Sequence, residues 1–423
     1  MKRKNLDVRS HVLDIAIRAR SAACKIRCLK PEIKTNALLQ LAGVLHDTSA
    51  FIRKENKKDL KSGKQNGLTM PMLDRLELTK ERVDSMVKSI TKIADANDPI
   101  GEVVSQWTRP GGLEVGQMRI PLGVIGIIYE SRPNVTADAS ALCFKAGNAA
   151  ILRGGSEALF SNLAIEKCIR KAFTQAKVPS DSIQLIQTRD RKAVGELLRM
   201  DDFVDVIIPR GGKKLIQRVA KESRIPVIKH FEGICHTFVH RDANLEMALE
   251  IILNAKVQRP GTCNAMETLL IDSQIAKNFI PMVVSMLKKK GVRIRGCSHT
   301  SSVYKVDQLA SEKDYRKEYL GLECNICVVK DLESAIHHIW NYGSKHTDVI
   351  VTESYKAARD FIQQVDSSSV MVNASSRLAD GGIFGLGAEI GISTDKLHAF
   401  GPMGVNELTS KKFVVYGNGS LRK

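Results

Sequence analysis

The sequence predicts an α/β chain with two doubly wound parallel-sheet domains and a small β-hairpin, and three observations predict it. At 423 residues the chain exceeds the size at which a single hydrophobic core keeps growing, so more than one domain is expected. From Pro121 onward, short branched apolar runs alternate with amphipathic helices in two successive series, the pattern of parallel strands covered on both faces. Ahead of the first series, Pro110, Gly111 and Gly112 separate two polar, alternating stretches, as a hairpin turn does.

Taken in order, residues 11–100 read as helices. His11 to Lys25 places Val12, Ile15 and Ala16 on one face, and Lys80 to Ala94 aligns Val83, Met86, Val87 and Ile90. The hairpin is expected over Val103 to Arg119. Strands of the first series are expected at Gly123 to Tyr129, Ala149 to Leu152, Ile183 to Ile186, Val204 to Ile208 and Ile225 to Ile228. Those of the second are expected at Glu267 to Ile271, Ile326 to Val329, Val349 to Val351 and Val370 to Val372, with helices such as Asn244 to Ala255 and Lys356 to Gln364 between them. Phe413 to Tyr416 reads as an extra strand beside the hairpin.

Composition is that of a globular protein, with 43% hydrophobic and 26% charged residues, which excludes a disordered or collagen-like chain. The formal charge of +18 points either to a nucleic-acid or membrane partner or to an enzyme with anionic ligands. Lys and Arg are scattered, with short clusters only at Met1 to Lys4, Arg53 to Lys64 and Lys288 to Lys290, and aromatic residues are 5% with no interleaved basic-aromatic platform. The enzyme reading is favoured, with no nucleic-acid partner. Asp7, Arg9 and Asp14 interrupt the first stretch, so no signal peptide is read, and the longest apolar run, Leu122 to Tyr129, is too short to span a bilayer. A cytoplasmic protein without a membrane partner is expected, and nine cysteines without a regular framework suit a reducing compartment.

Two glycine turns follow strands and open helices: Arg153-Gly154-Gly155-Ser156 and Arg210-Gly211-Gly212-Lys213. Unpaired helix amides at such turns face anions, although a tight βα turn needs no ligand to explain it. Their recurrence, each time beside a guanidinium, favours a dinucleotide site, and an arginine there suits a ribose 2′-phosphate, hence NADP. Cys263 lies on a loop between a helix and a strand, where a thiol is placed to act as a nucleophile with Arg259 nearby. Cys143 and Cys168 fall on apolar helical faces and read as core. Cys324 and Cys327 form a CxxC, but positions three apart on a strand face opposite sides and no second ligand pair has metal spacing, so no metal is expected.

The run Pro121-Leu122-Gly123-Val124-Ile125-Gly126-Ile127-Ile128-Tyr129-Glu130-Ser131-Arg132-Pro133-Asn134 resembles gamma-glutamyl phosphate reductases, a branch of the aldehyde dehydrogenase superfamily. So do Gly147 to Glu157, Asn254-Ala255-Lys256 leading to Cys263, Tyr342 to Asp348, and Val372 to Arg377 running into Gly385 to Thr394. The resemblance implies an aldehyde-dehydrogenase-like fold: 1–100 and 121–232 as the NADP-binding domain, 233–407 as the catalytic thiol domain, and 101–120 with 408–423 as an oligomerisation element. It implies reduction of glutamyl 5-phosphate to glutamate 5-semialdehyde through a Cys263 thioester. Arg153 and Ser156 then correspond to adenosine-ribose contacts, Arg210, Gly211, Gly212 and Lys213 to the pyrophosphate turn, and Glu318 to the nicotinamide ribose. Asn264, Arg132 and Asn134 are the expected oxyanion or acyl-phosphate contacts. Glu232 falls where hydrolytic relatives keep a base, and Phe400 stands where the family usually has arginine. A homodimer or higher homo-oligomer is expected, and glutamate 5-kinase is added as a candidate partner.

Overall fold

The structure, a computed structural model, describes residues 7–229 and 232–422, so the basic cluster Met1 to Lys4 lies outside the described residues. The chain divides into two compact units. The first comprises Met1–Lys229, Leu386–Gly391 and Met403–Lys423, and the second His230–Gly385 and Ile392–Pro402.

The first unit opens with helices α1 (Val8–Ile26), α2 (Pro31–Asp47), α3 (Ser49–Gln65), α4 (Met70–Leu76) and α5 (Lys80–Asp95). Asp7 caps α1 by accepting the Arg9 and Ser10 amides, and Val12, Ile15 and Ala16 are fully buried, as their spacing requires. Strands β1 (Val103–Arg109) and β2 (Leu113–Pro121) form the hairpin, and the carboxy-terminal strand Thr409–Tyr416 adds antiparallel to β2. The strand predicted at Phe413 to Tyr416 is therefore four residues longer than its apolar signal.

Strands β3 (Val124–Tyr129), β4 (Ala149–Arg153), β5 (Ile183–Leu185) and β6 (Val206–Arg210) make a parallel sheet of order β5-β4-β3-β6. Helices α6 (Asn134–Lys145), α7 (Leu159–Gln175), α8 (Lys192–Leu197) and α9 (Lys213–Glu222) connect or follow them. All of β3 is buried, which is why it reads as an unbroken apolar run. Ile225 to Ile228 is not a full strand. Only Val227 bridges to Ile207, and Pro226, which has no N–H to donate, keeps the pairing to that single contact.

The second unit holds a seven-stranded, wholly parallel sheet of order β10-β9-β11-β8-β7-β12-β13. Its strands are β7 (Cys235–Val239), β8 (Met266–Asp272), β9 (Arg293–Gly296), β10 (Gln308–Leu309), β11 (Glu323–Val329), β12 (Thr347–Val351) and β13 (Ser369–Val372). Helices α10 (Leu245–Val257), α11 (Ser273–Lys289), α12 (Ser298–Val303), α13 (Glu312–Tyr315), α14 (Leu332–Tyr342) and α15 (Tyr355–Gln364) surround it. β7 escaped sequence reading because His236 and Thr237 interrupt its apolar pattern, yet it is buried throughout and near the sheet's centre. Asp348 of the neighbouring β12 makes this tolerable by accepting from His236 Nδ1 at 2.8 Å and from its backbone N–H at 3.0 Å.

Candidate functional site

Cys263 lies on the loop joining α10 to β8, half-buried, and the loop is fixed by hydrogen bonds rather than by apolar packing. Thr262 Oγ1 lies 2.9 Å from both the Arg259 carbonyl and Asn264 Oδ1. Asn264 Nδ2 donates to the Ala379 carbonyl at 3.0 Å, Ser376 Oγ donates to the Asn264 carbonyl at 2.7 Å, and the Arg377 guanidinium donates to Asn264 Oδ1. Asn264 is 4% exposed. Its amide pins the thiol loop to the 376–379 segment.

Behind the thiol, Cys235 Sγ at the start of β7 donates to the Cys263 carbonyl at 3.2 Å. Gly233 is packed so tightly there that a Cβ on it would sit 1.9 Å from the Cys263 carbonyl oxygen. The Gly233 amide donates to Glu318 Oε1 at 2.9 Å and that of Ile234 to Ser344 Oγ at 2.8 Å. Glu318, expected to contact a ribose, thus holds the backbone that supports the thiol loop. The Glu318 loop is itself anchored: Leu320, in the left-handed region at φ 54°, donates its N–H to Glu267 Oε1 at 3.2 Å. Glu267 Oε2 meets Lys256 Nζ at 2.8 Å, and both side chains are fully buried. Burial pushes the Glu267 carboxyl up to about 7, against the opposing pull of Lys256.

Positive charge gathers around the loop. Burial, reinforced by the neighbouring Arg259, holds the Arg377 guanidinium below its usual range, and Asp380 and Cys263 counter that effect. The Arg377 guanidinium near the thiol gives a setting for an anionic substrate. Arg377 was legible in sequence only as part of a motif. Phe400 carries Lys396 Nζ over its ring at 5.4 Å, and Lys396 also pairs with Asp366.

The first unit carries the glycine turns. A cavity of about 720 Å³ is lined by Arg153, Ser156, Arg189, Arg191, Lys214 and Arg218, with Glu130 and Glu157 among the same walls. Arg153, at the end of β4, is 6% exposed. Its guanidinium donates to the Gly154 carbonyl, its buried Nε has no protein partner, and burial lowers its pKa from the usual arginine value. Glu157 accepts from Ser131 Oγ at 2.7 Å. At the second turn Gly212 N–H donates to Glu130 Oε2 at 3.0 Å, so a carboxylate occupies the place where such an amide takes an anion. Arg210 packs against Gly391, and Lys213 opens α9. Arg132 follows β3 on an exposed position, and Asn134, at the start of α6, donates to Asp138 Oδ2 at 3.0 Å. Sequence reading missed Arg189 and Arg191, because the loop after β5 has no glycine fingerprint.

Cys143 and Cys168 are buried. Of the CxxC, Cys324 is buried and Cys327 half-buried, and the thiol that interacts with Cys327 is Cys297 rather than Cys324. Among the described residues no group of three or more His, Cys, Asp or Glu is placed to hold a metal ion, and no helix is long and apolar enough to cross a membrane.

The sequence matches the aldehyde dehydrogenase family over residues 15–298. It is 46% identical over 418 residues, 99% of this chain and 100% of the relative, to a gamma-glutamyl phosphate reductase of Thermodesulfovibrio yellowstonii. Over 406 residues it is 50% identical to that of Moorella thermoacetica, covering 96% and 97% of the two chains. The crystal structure of gamma-glutamyl phosphate reductase from Thermotoga maritima superposes with a TM-score of 0.95 at 42% identity, covering 98% of this chain and 100% of the other. An acetylating aldehyde dehydrogenase from Geobacillus thermoglucosidasius, 15% identical with a TM-score of 0.72 over the full length of both chains, shares the fold.

Proposed function

This chain belongs to the gamma-glutamyl phosphate reductases of the aldehyde dehydrogenase family, and from that premise we propose how its own residues carry the reaction. The enzyme reduces L-glutamyl 5-phosphate to L-glutamate 5-semialdehyde with release of phosphate, a step of proline biosynthesis. The observation that carries the reading is near-full-length identity to enzymes of that name together with a thiol on a loop fastened by hydrogen bonds, with the Arg377 guanidinium nearby.

Cys263 is the nucleophile. Its thiolate attacks the acyl carbon, the carbon–oxygen bond to phosphate breaks, and a thioester forms with phosphate leaving as the anion. Arg259 and Arg377 hold the thiolate and the departing charge, and the Cys263 loop contributes backbone amides to the oxyanion. Arg132 and Asn134 are assigned to the substrate's acyl phosphate. Loss of the thiolate from the hemithioacetal frees the aldehyde and returns the site to its starting state.

The nicotinamide cofactor belongs to the first unit, where the buried, unpartnered Arg153 Nε and the cation-lined cavity fit a phosphorylated dinucleotide. When bound it supplies the hydride that reduces the thioester carbonyl. Arg153 and Ser156 are assigned to the adenosine ribose and its 2′-phosphate, favouring NADP over NAD. Arg210, Gly211, Gly212 and Lys213 are assigned to the pyrophosphate, with Glu130 yielding the Gly212 amide. Glu318 of the second unit is assigned to the nicotinamide ribose. The three-stranded sheet is the oligomerisation element, the enzyme is cytoplasmic, and glutamate 5-kinase remains its candidate protein partner.

The test is reduction of NADP with glutamate 5-semialdehyde, with and without phosphate, on wild type and Cys263→Ser. Phosphate-dependent turnover that Cys263→Ser abolishes while NADPH binding persists is expected. Turnover independent of phosphate, or retained in Cys263→Ser, overturns the reading.

A further inference from the structure

A second thiol site stands apart from the Cys263 loop, at the carboxy-terminal ends of β9 and β11. The two strands pair in parallel, with Gly296 opposite Ile326 as their last register partners. One residue further on, Cys297 comes opposite Cys327, and its N–H donates to the Ile326 carbonyl at 3.0 Å, so the sheet geometry carries past the strand end. Neighbouring strands lie about 4.8 Å apart, inside the roughly 4.4–6.8 Å Cα window that a disulfide requires. In parallel register the two side chains leave on the same side of the sheet, close enough to interact electrostatically.

Donors converge on one of the two sulfurs. Cys297 Sγ receives the Val328 N–H at 3.4 Å from β11 and the Thr300 N–H at 3.4 Å from α12. Thr300 Oγ1 lies 3.3 Å away, shared with the Ile326 carbonyl at 3.1 Å. A residue that only caps α12 would need the Thr300 amide alone. The strand amide and the Cys327 thiol are additional, and together these contacts favour a thiolate on Cys297. The hydrogen bond from Cys327, then the Thr300 and Val328 donors, hold Cys297 well below the ordinary thiol range despite partial burial, and Cys327 correspondingly keeps its proton. Both residues are half-buried, hence reachable by a small oxidant, and the reductase chemistry uses neither.

We propose that Cys297 and Cys327 form a peroxide-reactive thiol pair, with Cys297 as the attacking sulfur and Cys327 as the resolving one. The Cys297 thiolate attacks one oxygen of a hydroperoxide, the O–O bond breaks, and Cys297 becomes a sulfenic acid while the other oxygen leaves as hydroxide or alkoxide and takes a proton from solvent. The Cys327 sulfur then attacks the Cys297 sulfur, expelling hydroxide that takes up the Cys327 proton as water. Two thiols are oxidised by two electrons, the peroxide is reduced by two, and an intrachain disulfide closes across the strand ends. Dithiol reductants reverse it.

The experiment exposes the full chain at neutral pH to a few equivalents of hydrogen peroxide, quenches over time, and maps all nine cysteines by mass spectrometry. The linked Cys297–Cys327 peptide, lighter by two hydrogens and restored by dithiothreitol, is expected to appear at least about tenfold faster than oxidation of the exposed Cys24. Because Cys324 travels with Cys327, fragmentation must place the link. Cys327→Ser is expected to accumulate a dimedone adduct on Cys297, whereas Cys297→Ser leaves Cys327 a thiol. Oxidation of Cys297 no faster than Cys24, a link to Cys324 instead, or a sulfenic acid on Cys327 overturns the proposal.

Discussion

Replacing Lys256 with methionine tests whether the buried ion pair beneath the Glu318 loop is charged as its geometry implies. Lys256 Nζ and Glu267 Oε2 are 2.8 Å apart with both side chains wholly inaccessible. In the wild type the Glu267 carboxyl is raised from 4.5 to about 7. A raised acid binds its proton more tightly folded than unfolded, so its contribution is fully present below 4.5 and is lost as pH climbs through about 7, roughly 3 kcal/mol in all. Lys256→Met removes the cation that limits this rise, so the folded carboxyl stays protonated to still higher pH. Relative to wild type, the extra penalty begins near pH 7 and grows by about 1.4 kcal/mol per pH unit, reaching about 2–3 kcal/mol near pH 9. Methionine approximates the lysine stem, so the pH-independent packing change stays below about 1.5 kcal/mol. At about 2–4 °C per kcal/mol for a unit of this size, the Tm gap between the two proteins is expected to widen by about 3–5 °C per pH unit. Calorimetry between pH 7 and 9 reads this directly. A gap that stays constant or narrows refutes the reasoning. Glu267→Gln supplies the opposite sign: it strands the ammonium, so its gap should narrow as pH rises.

Gly233→Ala drives a methyl into the Cys263 carbonyl, so kcat should fall by about a hundredfold while NADPH affinity holds, and a kcat within a few-fold of wild type would show that the thiol loop tolerates the shift. Arg153→Ala should lower kcat/KM for NADPH relative to NADH by about tenfold or more, measured with both cofactors, whereas an unchanged ratio would move the 2′-phosphate contact to other residues lining that cavity. Truncation after Ser410 removes six of the eight residues of the last strand that pair with β2 and leaves most of that edge bare, with Trp107 deprived of its edge-on contact with Phe413 at 6.4 Å. Light scattering should show wild type as a homodimer or larger assembly and the truncation as monomer or aggregate; an active, strictly monomeric wild type would refute the assembly inference.

Sequence alone determined the α/β class, most strands of both βα series, the hairpin with its returning strand, and the family. These are read from local periodicity, from turn residues whose backbone needs are their own, and from motif runs whose order survives in a linear text. Tertiary structure decided what distant residues do to one another. The sequence does not show what the Asn264 amide touches, and the fold brings the 376–379 segment to it. Glu318 is expected at a ribose, and the fold adds that its Oε1 also takes the Gly233 amide, 85 residues away in sequence. β7 is invisible because the carboxylate that makes its buried histidine affordable arrives from Asp348, more than a hundred residues away. The sequence reading set the CxxC aside because its members face apart on a strand, and it could not show that Cys327 meets Cys297 from the adjoining strand end. In each case the deciding term is desolvation of a polar group, whose sign depends on which partner the fold delivers, and no local pattern encodes that partner.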